Sequence, residues 1–250
     1  MRLDENRYAE VKSETTLPYQ LYETSYPLYN RETGFDMVYQ ENKVFNLKLA
    51  AATLDRVVIR PHETFSFWKL VRYADRDIPY KDGLTVIDGK LTTAPGGGMC
   101  QMSNLLFWMF LHSPLAVAER HSHAVKDFPE PPSDAPMGVD ATVSEGWLDL
   151  KVKNETKMSF QISIAFDEDR IIGRLLTDQD NGQLYEVVNG ETLYYRKNGK
   201  VYEEVDVKQK MILTETGACS SEKLLYRNKC EIGYPLPDGT DIVEKGSKEK

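Results

Sequence analysis

The sequence predicts an α+β fold, in which a buried central helix opens at a glycine-rich loop and packs on an antiparallel β-sheet, with a small C-terminal β extension behind it. Three stretches point there. In "GGGMCQMSNLLFWMFL", Met102, Leu105, Leu106, Met109 and Phe110 recur at the i, i+3, i+4, i+7, i+8 spacing of a buried helical face. From Gly138 to Asp178, β-prone runs are punctuated by the loops Asn154-Glu155-Thr156 and Asp167-Glu168-Asp169, as successive antiparallel strands would be. Beyond Thr177, Asn189-Gly190 and Asn198-Gly199 are hairpin turns between short β-prone runs.

Residues 1–41 are polar, rich in Tyr, Glu and Thr and weakly periodic, which reads as a wrapping N-terminal segment with at most one helix. The main domain then spans 42–177. It begins with "NKVFNLKLAAATLDRVVI", a core-packed helix carrying Val44, Leu47, Leu49, Ala51 and Leu54 that ends before Pro61. "ETFSFWKLV" is a short buried segment, and "KDGLTVIDGKL" is a brief strand between the turn pairs Asp82-Gly83 and Asp88-Gly89. After the cysteine helix come a strand from Leu115 to His121 and a proline loop up to Pro136. Residues 178–235 form the β extension, and 236–250 a polar, frayed tail.

A net charge of −8, with no Lys/Arg cluster, argues against a nucleic-acid partner, which would require a basic patch. No run approaches the ~18 apolar residues of a membrane span. The charged start "MRLDENRYAEVKSETT" lacks the apolar stretch of a signal peptide, so as given the chain reads as soluble and cytoplasmic. A chain whose leader had been removed would look the same and would be envelope-associated. Nothing fixes an oligomeric state. Cys100, Cys219 and Cys230 do not make a disulfide framework at this length, and the last two read as ordinary thiols.

Cys100 is different. Gly96, Gly97 and Gly98 let the backbone take positive φ and let another molecule approach closely, and they place Cys100 in the first turn of the central helix. There the macrodipole favours an anion and lowers a thiol's pKa, and the Gly98–Gln101 backbone could form an oxyanion hole. A helix from Cys100 to Leu111 climbs about 17 Å at ~1.5 Å per residue. Pro114 then reverses the chain, and a strand from Leu115 to His121 returns roughly 20 Å at ~3.3 Å per residue. The return ends at the level of the thiol, where "ERHSHAV" supplies His121 and His123. Both share one side with Glu119, so either could be the base. Asp140 in "GVDATV" could orient it, giving the order Cys, His, Asp.

Each residue alone has a plainer reading: a small core thiol, two half-exposed strand histidines and a turn aspartate. Cys100, His121, His123 and Asp140 also have the donor types for zinc, but no Cys-x-x-Cys or His-Glu-x-x-His spacing supports a metal, and neither metal nor cofactor is expected. His62 and His112 read as ordinary.

"GGGMCQMSNLLFWMFL", "LAVAERHSHAV" and "GVDATV...WLDLKVKN", preceded by "NLKLAAATLDRVVIRPHETFSF", are similar to the VanW family over about residues 42–166. The pattern carries over to Gly96, Gly97, Gly98, Cys100, Gln101, Ser103, Arg120, His121, His123, Asp140 and Ala141. This chain departs from it at His62, where the pattern has glycine, and in the heavier Met99, Asn104, Phe107, Trp108 and Phe110. Its Pro129–Pro136 loop is also longer. The resemblance implies a cell-envelope or glycopeptide-resistance context. The layout of groups is also similar to that of transglutaminase-like thiol enzymes, a likeness of arrangement only.

Two functions are consistent with these residues. In the first, the chain hydrolyses or transfers an amide of a peptidoglycan-type peptide. Cys100 is then the nucleophile, His123 or His121 the base and Asp140 the orienter, with Gly96, Gly97, Gly98, Gln101, Ser103 and Arg120 around the substrate or oxyanion. In the second, it binds a peptide or glycan without catalysis and Cys100 is structural. Peptidoglycan lies outside the membrane, so the first function needs a cytoplasmic precursor or a leader absent from the sequence as given.

Overall fold

A computed structural model describes residues 7–31, 33–87, 90–126 and 135–245. In chain order the elements are β1 (Tyr19–Pro27), α1 (Val38–Leu54), β2 (Val58–Ile59), β3 (Thr64–Ser66), α2 (Phe67–Val71), β4 (Asp82–Ile87) and β5 (Lys90–Pro95). There follow α3 (Met99–Leu111), β6 (Ala116–Glu119), β7 (Val125–Lys126), β8 (Lys151–Lys153), β9 (Phe160–Phe166) and β10 (Arg170–Thr177). The chain closes with β11 (Gln183–Lys197), β12 (Lys200–Leu213), β13 (Cys219–Ile232) and β14 (Ile242–Glu244). The turn pair Asp88-Gly89, most of the proline loop and the end of the tail lie outside the described residues.

This architecture corrects the expected one. The protein is mostly β, with 44% strand against 15% helix, and its strands form several sheets rather than one sheet under a central helix. The sheets run β1-β10-β9-β2, β14-β11-β12-β13-β7, β3-β8-β6 and β4-β5. Two misread segments account for the error. Residues 1–41 contain β1, which pairs along its length with β10, and its half-exposed residues carry too little hydrophobic alternation to announce a strand. Beyond Thr177 the strands are 14 or 15 residues long, because Asn189-Gly190 does not turn the chain: it lies inside β11, where the pairing with β12 slips between Asn189 and Thr192. The hairpin turn is Asn198-Gly199, with both residues at positive φ.

The predicted cysteine helix does form, as α3, and every residue from Leu105 to Leu111 is buried. It lies against the β1-β10 face, where Gly173 of β10 admits it closely: a Cβ there would stand 2.3 Å from Met109 Sδ. Phe65 packs edge-on against Phe110 at 5.0 Å, and His112 stacks on Tyr22 at 3.6 Å. At the far end of α3, Gln209 of β12 donates to the carbonyls of Leu111 and Ser113, satisfying acceptors that a helix C-terminus leaves open. The C-terminal sheet is thus built onto the core helix.

His62 is the third residue of a turn closed by Glu63 N–H to Arg60 O, and it sits at φ +66°. Glycine takes this conformation without strain. His62→Gly should therefore raise stability by about 0.5–1 kcal/mol, the larger flexibility of glycine in the unfolded chain offsetting part of the relieved strain. Thermal unfolding should register this as a midpoint up to about 3 °C higher.

Candidate active site

The loop that delivers Cys100 is held by backbone packing only glycine permits. A Cβ on Gly97 would lie 2.2 Å from the Gly83 carbonyl, and one on Gly83 would lie 2.5 Å from the Gly97 oxygen. The loop is thereby seated on β4. Gly98 then caps α3 at φ +98°, and Cys100 follows as the second helical residue.

On the other side of the thiol, the chain leaves β6 at Glu119 and continues without regular structure to His123, which acts on the Cys100 thiol to favour its thiolate. Asp140 holds the ring from behind: its two oxygens are 2.9 and 3.1 Å from His123 Nδ1, and its Oδ2 also accepts the His123 backbone N–H at 2.7 Å. With Nδ1 occupied, Nε2 is left to face the sulfur. Thr142 Oγ1 lies 3.3 Å and the Val143 carbonyl 3.9 Å from Cys100 Sγ.

These contacts polarise the site. Burial works against a thiolate at Cys100, but the hydrogen-bonding contacts with His123, Thr142 and the Val143 backbone outweigh it and bring the pKa below the ordinary value. The hydrogen bond His123 gives to Asp140, then that to Cys100, pushes His123 up to about 10 against its own burial. Burial alone would raise Asp140, yet the bonds to His123 and the nearby Arg120 charge hold it below the usual carboxylate range. The arrangement favours a thiolate–imidazolium pair braced by a carboxylate.

The two candidate histidines part company. His121 Nε2 lies 3.1 Å from Glu119 Oε1, and Glu119 also takes Lys151 at 2.7 Å and the Asp149 N–H at 3.2 Å. His121 thus belongs to a polar cluster at the edge of β6. Its ring is bonded to Glu119 and not to Cys100, His123 or Asp140. Among the described residues, no three His, Cys, Asp or Glu side chains are grouped to hold a metal ion.

Four residues expected around substrate have other contacts. Gln101 gives its backbone N–H to Gly98 O at 3.0 Å and its side-chain amide to Pro27 O at 2.7 Å, so neither group is free to serve an oxyanion. Ser103 is buried and donates to Ala141 O and to Cys100 O. Arg120 donates through Nε to the Asp140 carbonyl at 2.6 Å and through a terminal nitrogen to Asn228 of β13, and its guanidinium lies 4.3 Å from the Tyr226 ring. Gly96 packs under the ring of Tyr80.

Asn104 and Thr142 escaped the sequence reading. Asn104 Oδ1 accepts the Ala141 N–H at 2.6 Å, so Ser103 and Asn104, one turn beyond Cys100, together grip the residue after Asp140. The helix that carries the thiol therefore also fixes the segment whose carboxylate bonds His123. A period of two from Asp140 would have pointed to Thr142. Trp147, 79% exposed, projects from the turn that begins just after Val143.

A protein-family model described as "VanW like protein" matches residues 42–176. The chain is 57% identical over 244 residues to the vancomycin B-type resistance protein VanW of Enterococcus faecalis, covering 98% of this chain and 89% of that protein. It is 35% identical over 115 residues to the uncharacterized protein YoaR of Bacillus subtilis, covering 46% of this chain and 36% of that one. No solved structure matches.

Proposed function

The chain belongs to the VanW family, and on that premise we propose that it is a cysteine acyl-transfer enzyme acting on an amide bond of a peptidoglycan-type peptide, in the context of vancomycin B-type resistance. One observation carries the chemistry: Asp140 is bonded to Nδ1 of His123, and His123 acts on the Cys100 thiol at the head of α3 to favour its thiolate. The context rests on the identity with the Enterococcus faecalis protein along nearly the whole chain.

In this reading the Cys100 thiolate adds to the amide carbonyl carbon, and the N–H groups of Met99 and Cys100, which an α-helix leaves without intrahelical partners, take the oxyanion. The C–N bond breaks as the His123 imidazolium gives its proton to the leaving nitrogen, and a thioester remains on Cys100. His123 then takes a proton from water or from an acceptor amine. That nucleophile attacks the thioester carbon and the thiolate leaves. Asp140 keeps the ring aligned and its charge stabilised throughout.

The test is to incubate the full chain with peptidoglycan-derived peptides and follow both partners by mass spectrometry. The expected result is a changed peptide, an acyl adduct on Cys100 and a rate about 10³-fold or more lower in Cys100→Ala. Unchanged peptides, or equal turnover in Cys100→Ala, would sink the proposal; binding without turnover would leave the binding module in its place. No helix of the described residues is long and apolar enough to cross a membrane.

A further inference from the structure

His123 is not held by a strand of its own. Beyond β6 the chain has no regular structure until β7, which is two residues long and runs parallel to the end of β13, with Val125 opposite Glu231 and Lys126 opposite Ile232. Two backbone bonds make that junction: the Glu231 N–H donates to Ala124 O at 2.9 Å, and the Gly233 N–H donates to Lys126 O at 2.8 Å. His123 immediately precedes it.

A strand this short does not fix its own register. The same backbone bonds could form one or two residues along, and side-chain burial has to choose between the alternatives. A slip of one residue moves the chain by ~3.3 Å and turns each side chain to the opposite face, and a slip of two moves it by ~6.6 Å. Either would carry the imidazole out of the 2.9 Å contact between Nδ1 and Asp140.

One side chain of β7 makes the choice. Lys126, 10% exposed, reaches across β13 to Glu203 of β12, 2% exposed, with Nζ 2.8 Å from Oε1. Glu203 stands in register with Tyr194 of β11 on one side and with buried Cys230 of β13 on the other. Its second oxygen accepts the Tyr194 hydroxyl at 3.0 Å. An ion pair this deep adds little net stability, because desolvation of both ions offsets their attraction. It does select one arrangement, since a slipped register would leave an ammonium and a carboxylate buried apart.

We propose that Glu203, acting through Lys126, is a positioning residue for His123: the pair sets the register of β7 on β13. The C-terminal sheet, which lies beyond the residues 42–176 matched by the family model, thereby becomes part of the Cys100 site. The catalytic consequence rests on the acyl-transfer reading, whereas the test below does not.

The full chain carrying Lys126→Met, Tyr194→Phe and Glu203→Leu together separates position from stability. Exchanging a buried ion pair and its bonded hydroxyl for apolar groups of similar volume is close to neutral or stabilising, so the urea midpoint should hold or rise. The register is then no longer specified. By NMR, His123 should titrate toward the ~6.5 of a free imidazole instead of at about 10, and Cys100 alkylation should move to higher pH. Lys126→Arg, which keeps a cation for Glu203, should retain both native readings.

A stable triple variant with His123 still near 10 overturns the proposal and makes the pair a plain part of the fold. If the triple variant does not fold, Glu203→Gln is titrated in its place, in sucrose, which favours the compact state. Glutamine keeps the shape and removes the charge, and an unmoved His123 there overturns the proposal equally. Failure of the acyl-transfer reading is a separate result. An unactivated Cys100 in the native protein, or unchanged peptides, sinks that reading, while the His123 titration still decides what Glu203 does.

Discussion

His123→Ala should turn Cys100 back into an ordinary thiol. In the native protein, alkylation by iodoacetamide, mapped to Cys100 by mass spectrometry, should set in at a lower pH than for an unperturbed thiol, because His123 stabilises the thiolate. Without the imidazole the rate should rise only through the ~8.5 of an unperturbed cysteine, so that at any pH below it the variant reacts more slowly than the native protein. His121→Ala should leave the profile unchanged, since its ring bonds to Glu119. A profile that follows His121 instead, or neither residue, would break the relay.

The same pair sets a stability profile whose sign can be worked out. His123 is raised in the folded state, so its share is full below about 6.5 and is lost as pH climbs through about 10. Cys100 is lowered, so its share is full above roughly 8.5 and is lost as pH falls through its folded value. Between about 6.5 and 8.5 the two slopes cancel, because the folded pair and the unfolded pair then hold the same number of protons. Urea unfolding should show this pair's contribution as a plateau across that interval with a decline on each side, and His123→Ala should remove it.

The site was more legible than the fold, for a physical reason. Cys100 announced itself locally, by three glycines ahead of an apolar helix, and the helix-and-return geometry brought a histidine back to it with nothing but rise per residue. The choice of histidine was not legible. Strand alternation places His121 and His123 on one side, but β6 ends at Glu119, and past that point alternation no longer governs. The Tyr80 ring over Gly96 and the Lys43 stem over Gly98 were invisible because each meets the glycine loop only through tertiary packing. In the fold, Asn189-Gly190 has the composition of a turn, yet β12 and the packing of Gly190 against Lys208 and Asp206 keep it within a strand.

Arg120→Met should be the most damaging single change away from the thiol itself. Arg120 is the tie between the site and the C-terminal sheet: its guanidinium donates to the Asp140 carbonyl, to Gly138 O at 3.5 Å and to Asn228 Oδ1, and stacks over Tyr226. Methionine keeps much of the apolar stem but leaves those acceptors facing a thioether that cannot donate. Acceptors left unsatisfied in this way cost about 1–3 kcal/mol each, and water reaching the partly open side lowers the sum, so a loss of about 3 kcal/mol is expected in urea unfolding. A second readout separates this tie from mere stability. Released from Arg120, the Gly138–Asp140 segment keeps the Tyr226 hydroxyl on Gly138 O, the Asp140 bonds to His123 and the Ser103 and Asn104 grip on Ala141, but Asp140 loses a brace on its backbone carbonyl and a neighbouring positive charge. His123 should then fall from its raised value and the Cys100 alkylation profile should move toward the ordinary thiol. Arg120→Lys should recover part of the stability, since one ammonium can reach some of the acceptors, and little of the profile, because it lacks the planar fork that reaches Asp140 O and Asn228 together. A variant that lost stability while keeping the native profile would show that Arg120 braces the fold and has no hold on the chemistry.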